Sequence, residues 1–168
     1  MNTTALPAAR PTHWPALAAL IAATLLTAAA GSLASINAKD FYEGLNRPSW
    51  APPAGVFGPV WTLLFVMMCA AAWLVVRRLG ARRARPAMAL YGAQLAFNAL
   101  WSWLFFRWHL GALASVEVLV LLMFVGLTAR AFWRARELAG YLLLPYLAWV
   151  AFASALTFAM WRLNPGVL

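Results

Sequence analysis

The sequence predicts an all-α membrane protein, a bundle of five transmembrane helices, and three observations carry that reading. First, 65% of the 168 residues are hydrophobic and only 10% are charged, where a soluble domain carries roughly 25% charged residues. A chain this short cannot hide so much apolar surface from water, so lipid is the solvent that suits it. Second, the apolar residues fall into runs long enough to cross a hydrocarbon core, which takes roughly 20 helical residues. Third, the formal net charge is +9, yet the basic residues sit at the ends of those runs. Clusters such as Arg77, Arg78, Arg82, Arg83 and Arg85 follow membrane topology and not a nucleic-acid-binding face. The whole chain, 1–168, reads as one domain.

The runs lie at about 14–35, 57–76, 86–106, 110–131 and 139–161. Pro15 and Pro86 suit first helical turns, where a missing N–H costs nothing. Arg77-Arg78 closes the second run, and Arg162 with Asn164-Pro165 closes the fifth. The first run has a rival reading as a cleaved signal peptide, with Arg10 before it and small residues at its end. Three connections are short, at 77–85, 107–109 and 132–138. The first, 36–56, is long and holds Pro48-Ser49-Trp50-Ala51-Pro52-Pro53. Its aromatics and prolines suggest an ordered cover, since proline lowers the entropy lost on ordering.

Five crossings put the N-terminus on the same side as the second and fourth connections. That side holds nine basic residues: Arg10, Arg77, Arg78, Arg82, Arg83, Arg85, Arg130, Arg134 and Arg136. The other side holds four, Lys39, Arg47, Arg107 and Arg162. The expectation is an inner membrane with the N-terminus in the cytoplasm and the long loop outside.

Polar residues at membrane depth face protein or a cavity. Gln94 and Asn98 share one face of the third run, continued by Trp101 and Phe105. They either bond across helices or line a ligand cavity. Glu117 has no Asp, His or Lys at matching depth, so structural hydrogen bonding is its expected role. Of the ten tryptophans, Trp14, Trp108, Trp133 and Trp161 suit the interface. Trp61 and Phe65 lie deeper on the second run, and Tyr146, Trp149 and Ala153 form a stripe on the fifth, serving as core or as the wall of a flat-ligand site. Pro145 interrupts the fifth run. Small residues repeat at Gly92 and Ala96 and at Ala151, Ala155 and Ala159. Close packing within the chain is the plain reading of both, and a homodimer seam on the third run is the other. Cys69 is alone and cannot form an internal disulfide. With His13 and His109 widely separated, no metal site is expected.

Several separated segments, in order, carry a family resemblance. The loop reads Phe41-Tyr42-Glu43-Gly44-Leu45-Asn46-Arg47-Pro48-Ser49-Trp50-Ala51-Pro52-Pro53. The second run opens Phe57-Gly58-Pro59-Val60-Trp61-Thr62-Leu63-Leu64-Phe65. The third carries Gln94-Leu95-Ala96-Phe97-Asn98-Ala99-Leu100-Trp101, and the fifth Pro145-Tyr146-Leu147-Ala148-Trp149-Val150-Ala151-Phe152-Ala153. The sequence thereby resembles the translocator protein or tryptophan-rich sensory protein family (TspO/MBR), and its Arg- and Ala-rich composition resembles a bacterial member.

The resemblance implies a five-helix bundle, often dimeric, with a pocket under the first loop. It implies binding of porphyrins such as protoporphyrin IX and haem, of cholesterol in animal members, and of synthetic aromatic ligands. By position the pocket would be lined by Tyr42, Trp50, Trp61, Phe65, Asn98, Trp149, Ala153 and Leu156, and the residue reading adds Gln94, Trp101, Phe105 and Tyr146. Trp61 and Trp149 match two tryptophans implicated in light-dependent porphyrin breakdown by some bacterial members. The resemblance also allows an outer membrane. The departures are Phe41 for a usual Trp, Arg47 for Lys, Thr157 after Leu156 where Asn is usual, and Phe158 where a proposed sterol pattern needs Tyr. This last speaks against cholesterol as a specific ligand. The leading expectation is porphyrin or haem binding for tetrapyrrole regulation or stress signalling. A light- and oxygen-dependent porphyrin-degrading enzyme and a porphyrin or sterol transporter are the alternatives. Inverted repeats, which would support transport, are absent from the sequence.

Overall fold

Helices form where the apolar runs lie, and α3, α4, α5 and α6 extend into the charged residues that flank them. The computed structural model describes residues 14–168, so Arg10 and His13 lie outside the described residues. Its helices are α1 (Trp14–Ala34), α2 (Ala38–Gly44), α3 (Phe57–Leu79), α4 (Ala81–Ser102), α5 (Gly111–Ala135) and α6 (Glu137–Leu163). A 3-10 turn at Ala54–Val56 leads into α3, and a π-helical turn at Trp103–Arg107 extends α4. The protein is an all-helical membrane protein in which four helices, α1, α3, α5 and α6, are long and apolar enough to cross a bilayer. Gln94, Asn98 and the arginines of its first turns make α4 the more polar fifth long helix.

Two connections are far shorter than the sequence suggested. The break expected at 77–85 shrinks to Gly80, and that at 132–138 shrinks to Arg136. Arginine is a good helix former, and its long stem carries the charge to water from a helix end, so the helices run on past the apolar limit. Pro86 therefore falls inside α4 and not in its first turn. Gly80 makes the reversal possible. Its φ of 78° is a conformation that a side chain disfavours. Its N–H donates to the Val76 carbonyl at 2.8 Å, and its own carbonyl accepts from Ala84 N–H at 3.0 Å. Arg136 is extended, with φ −163° and ψ 120°, and its N–H closes α5 on the Phe132 carbonyl at 2.8 Å.

α5 packs along both α6 and α4, α3 lies against α6, and α1 lies on α4 and α3. The core includes Met68, Val75, Leu121, Phe132, Leu143, Tyr146 and Met160, all fully buried. α1 is the least enclosed of the long helices, burying only Leu20, Thr24 and Ala34. Thr24 bonds to Tyr91 of α4 at 2.8 Å.

The long loop is ordered as α2 and the 3-10 turn. Phe41 stacks on His109 of the third connection, with centroids 4.2 Å apart, and Asn46 is bonded to Asn164 beyond α6. The loop, the third connection and the C-terminal segment therefore share one end of the bundle, with Lys39, Arg47, Arg107 and Arg162. The other end carries Gly80 and Arg77, Arg78, Arg82, Arg83, Arg85, Arg130, Arg134 and Arg136, and Tyr91 stacks on Phe132 nearby.

Two expectations about intramembrane residues change. Gly92, Ala96, Ala151 and Ala155 are exposed, so these small residues do not serve packing within the chain. Glu117 is buried, but both carboxylate oxygens lack a hydrogen-bond partner among the described residues. The adjacent helix faces bring no donor within reach, so it does not form the structural hydrogen bond its sequence position suggested.

Candidate functional site

A cavity of about 400 Å³ lies among α1, α2, α3 and α4, next to the ordered loop. Trp61 and Phe65, one turn apart on α3, form one wall with ring centroids 5.7 Å apart. Asn98 and Trp101 of α4, with Phe106 of the π turn, form another wall. Tyr42 and Phe57 close the loop end, edge to face at 5.3 Å. Ala28, Gly31 and Ser32 of α1, with Ser35 in the turn after it, supply the last wall, and Lys39 of α2 also lines the cavity.

Tyr42 is fixed by the loop itself. Its hydroxyl donates to the Pro52 carbonyl at 2.9 Å, and the Arg47 guanidinium lies 5.3 Å from its ring centroid. Burial pushes the phenol pKa above its usual value, and the Arg47 charge partly offsets this. The phenol therefore stays a donor through neutral pH.

Asn98 is held from behind. Its Nδ2 donates to the Tyr146 hydroxyl at 3.1 Å, and the fully buried Tyr146 ring meets Trp61 edge-on at 6.2 Å. One side chain thus supports a polar and an aromatic wall residue from opposite helices. Trp101 stacks on Phe105 at 5.5 Å, with its indole N–H unpartnered.

The residues picked out from the sequence divide three ways. Tyr42, Trp61, Phe65, Asn98 and Trp101 come together around the main cavity. Phe105, Ala153 and Leu156 border a separate hollow of about 20 Å³, which also touches Tyr42 and Trp101. That space holds about one water. Trp50, Gln94, Tyr146 and Trp149 line neither. Trp50 is half exposed and meets Phe152 at 5.8 Å. Gln94 is buried, donating to Met68 Sδ at 3.7 Å with its carbonyl oxygen unpartnered. Trp149 stands behind Phe57, edge-on at 5.9 Å, and against Phe152 at 5.5 Å.

The α1 wall, Lys39, Phe57 and Ser102 were missed by sequence reasoning. A readable signal existed in the small residues Ala28, Gly31 and Ser32, which share a helix face, followed by Ser35 in the turn. A methyl group added at Gly31 would sit 3.4 Å from Ser102 Oγ, so this face is where α1 comes close to α4.

The lining is mainly apolar and aromatic, with one amide, several hydroxyls and one ammonium group. It contains no carboxylate, imidazole or thiol. Its size falls within the range of small-molecule pockets, about 300–1,000 Å³. The arrangement suits binding of a flat hydrophobic molecule with a few polar edges.

Comparison with known proteins agrees with the architecture. Residues 17–162 match the TspO/MBR family. The chain is 38% identical to the tryptophan-rich sensory protein of Cereibacter sphaeroides, over 90% of this chain and 92% of that one. It is 39% identical to the translocator protein of Homo sapiens, over 75% and 76% of the two chains. It is 40% identical to the tryptophan-rich protein TspO of Chlorobaculum tepidum, over 74% and 80%. With the match running from α1 to the end of α6, the chain belongs to the TspO/MBR family.

Proposed function

We propose that this protein binds a porphyrin, protoporphyrin IX or haem, in the cavity between α1, α3 and α4, and that binding serves tetrapyrrole regulation or stress signalling. The observation that carries the reading is that Trp61, Phe65, Trp101 and Phe106 all line one cavity of about 400 Å³. Aromatic walls of this kind stack on a flat macrocycle, and the Asn98 amide offers a polar anchor. The names of the relatives, sensory and translocator proteins, agree with a ligand-responsive role.

In this reading α4 is the fifth crossing and buries its polar face against the other helices. The arginine-rich end of the bundle faces the cytoplasm of an inner membrane and the loop faces outward. A second copy packs on the outward face of α4 at Gly92 and Ala96, where small residues allow close approach.

The test is titration of the detergent-purified protein with protoporphyrin IX, followed by tryptophan fluorescence. Saturable quenching is expected, with Trp61→Ala and Phe65→Ala each weakening affinity about tenfold. Unchanged affinity in both variants would remove the porphyrin from this cavity.

A further inference from the structure

We propose that the cavity selects an anionic ligand and fixes its orientation, with Lys39 receiving a carboxylate at the mouth while the apolar body lies against the tryptophans. This deepens the porphyrin reading and rests on it. Lys39 is the only charged side chain in the lining. It is exposed, and it forms no ion pair among the described residues although Asp40 and Glu43 share its helix. Ser32, Ser35 and Ser102 also line the cavity. Their hydroxyls make no hydrogen bond among the described residues. Thr24, Thr27 and Thr62, on α1 and α3, instead donate to the Leu20, Ala23 and Gly58 carbonyls one turn back at 2.8, 3.0 and 2.9 Å.

The cavity is therefore chemically polarised. Its α1–α2 side holds a free ammonium and two unengaged hydroxyls, Ser32 and Ser35, and its α3 side holds Trp61 and Phe65. A neutral flat hydrocarbon would leave the ammonium and the hydroxyls to water alone and gain nothing from them. A flat acid satisfies them with charge-assisted hydrogen bonds, which are stronger than neutral ones. Lys39 lies on the short loop helix outside the membrane-spanning segments, so its charge is retained at no cost of bilayer burial. The matching ligand is a planar apolar ring system with carboxylates along one edge, the edge directed toward the loop.

Protoporphyrin IX and its dimethyl ester share a ring and differ in that charge. Both are titrated into the full chain in nanodiscs, using wild type, Lys39→Gln and Lys39→Arg, with tryptophan quenching as the readout. The acid is expected to bind wild type about fivefold more tightly than the ester, the scale of a partly exposed ion pair. Lys39→Gln abolishes that preference by weakening the acid alone, Lys39→Arg retains it, and added salt erodes it only for the acid. Equal binding of acid and ester to wild type, or an equal loss of both in Lys39→Gln, overturns the Lys39 assignment and leaves the porphyrin reading standing. Quenching by neither compound overturns the porphyrin reading and this inference with it.

Discussion

The side-chain amide of Asn164 is bonded to both backbone groups of Asn46. The Asn46 N–H donates to Asn164 Oδ1 at 2.8 Å, and Asn164 Nδ2 donates to the Asn46 carbonyl at 2.9 Å. The same Nδ2 also donates to the Met160 carbonyl at 2.8 Å, near the end of α6. A residue 118 positions away thus stands in for a strand partner and fastens the loop that carries Tyr42 and Lys39. Asn164→Ala removes these bonds and leaves partly buried backbone groups unpaired, at a cost of about 1–3 kcal/mol. The expected outcome is faster amide exchange over residues 45–53 and weaker ligand affinity, with α5 and α6 still protected. Unaltered exchange in the loop would mean that its own prolines and Tyr42 hold it without Asn164.

Tyr146→Phe separates the support of the cavity from its lining. The ring that backs Trp61 remains, but the Asn98 amide loses its acceptor. Hydrogen bonds between membrane helices are modest, so the loss in thermal stability should correspond to about 0.6–1.5 kcal/mol. A double-mutant cycle with Asn98→Ala should return a coupling energy of that size. Additive effects in the cycle would show that the 3.1 Å contact carries no energy.

These residues also show how far the sequence could be read. Asn98, Tyr146 and Trp61 stood out because polar and aromatic residues at membrane depth need partners, although which of them touch one another depends on how the helices pack. The α1 wall was hidden for the opposite reason. Gly31, Ser32 and Ser35 are small residues on one side of the chain, and what that side admits is not fixed until a neighbour such as Ser102 is placed. The stripe on α6 pointed correctly to a protein-facing side, but Phe57 stands between Trp149 and the main cavity. Helix ends were misjudged at Arg77–Arg85 because a polar residue ends a hydrophobic run without ending a helix.

Gly140 sits in a close approach at the turn between α5 and α6. A Cβ added at Gly140 would fall 2.6 Å from Trp133 Cε3 and 2.9 Å from its Cα. The second of these is backbone and cannot rotate away. Gly140→Ala should therefore force the two helices apart and lower stability by about 1–3 kcal/mol. Gly126→Ala is the matched control, since a Cβ there meets nothing within 4 Å. It gains helix propensity of up to about 1 kcal/mol, so thermal unfolding in detergent should move in opposite directions for the two variants.

The exposure of Gly92 and Ala96 gives the proposed dimer a sharp test. Small residues on an outward helix face leave a shallow groove that lipid fills poorly and a second helix fills well. If a second copy occupies it, Ala96→Cys places two thiols across the symmetry axis, within the roughly 4.4–6.8 Å Cα separation that a disulfide spans. In a Cys69→Ala background, mild oxidation in native membranes should then trap a covalent dimer. Leu119→Cys on α5, where the native side chain is 58% exposed, should stay monomeric under the same treatment. Cross-linking at both positions would indicate random collision in the bilayer. Cross-linking at Leu119→Cys alone would move the seam from α4 to α5, away from the α1–α4 side that holds the cavity.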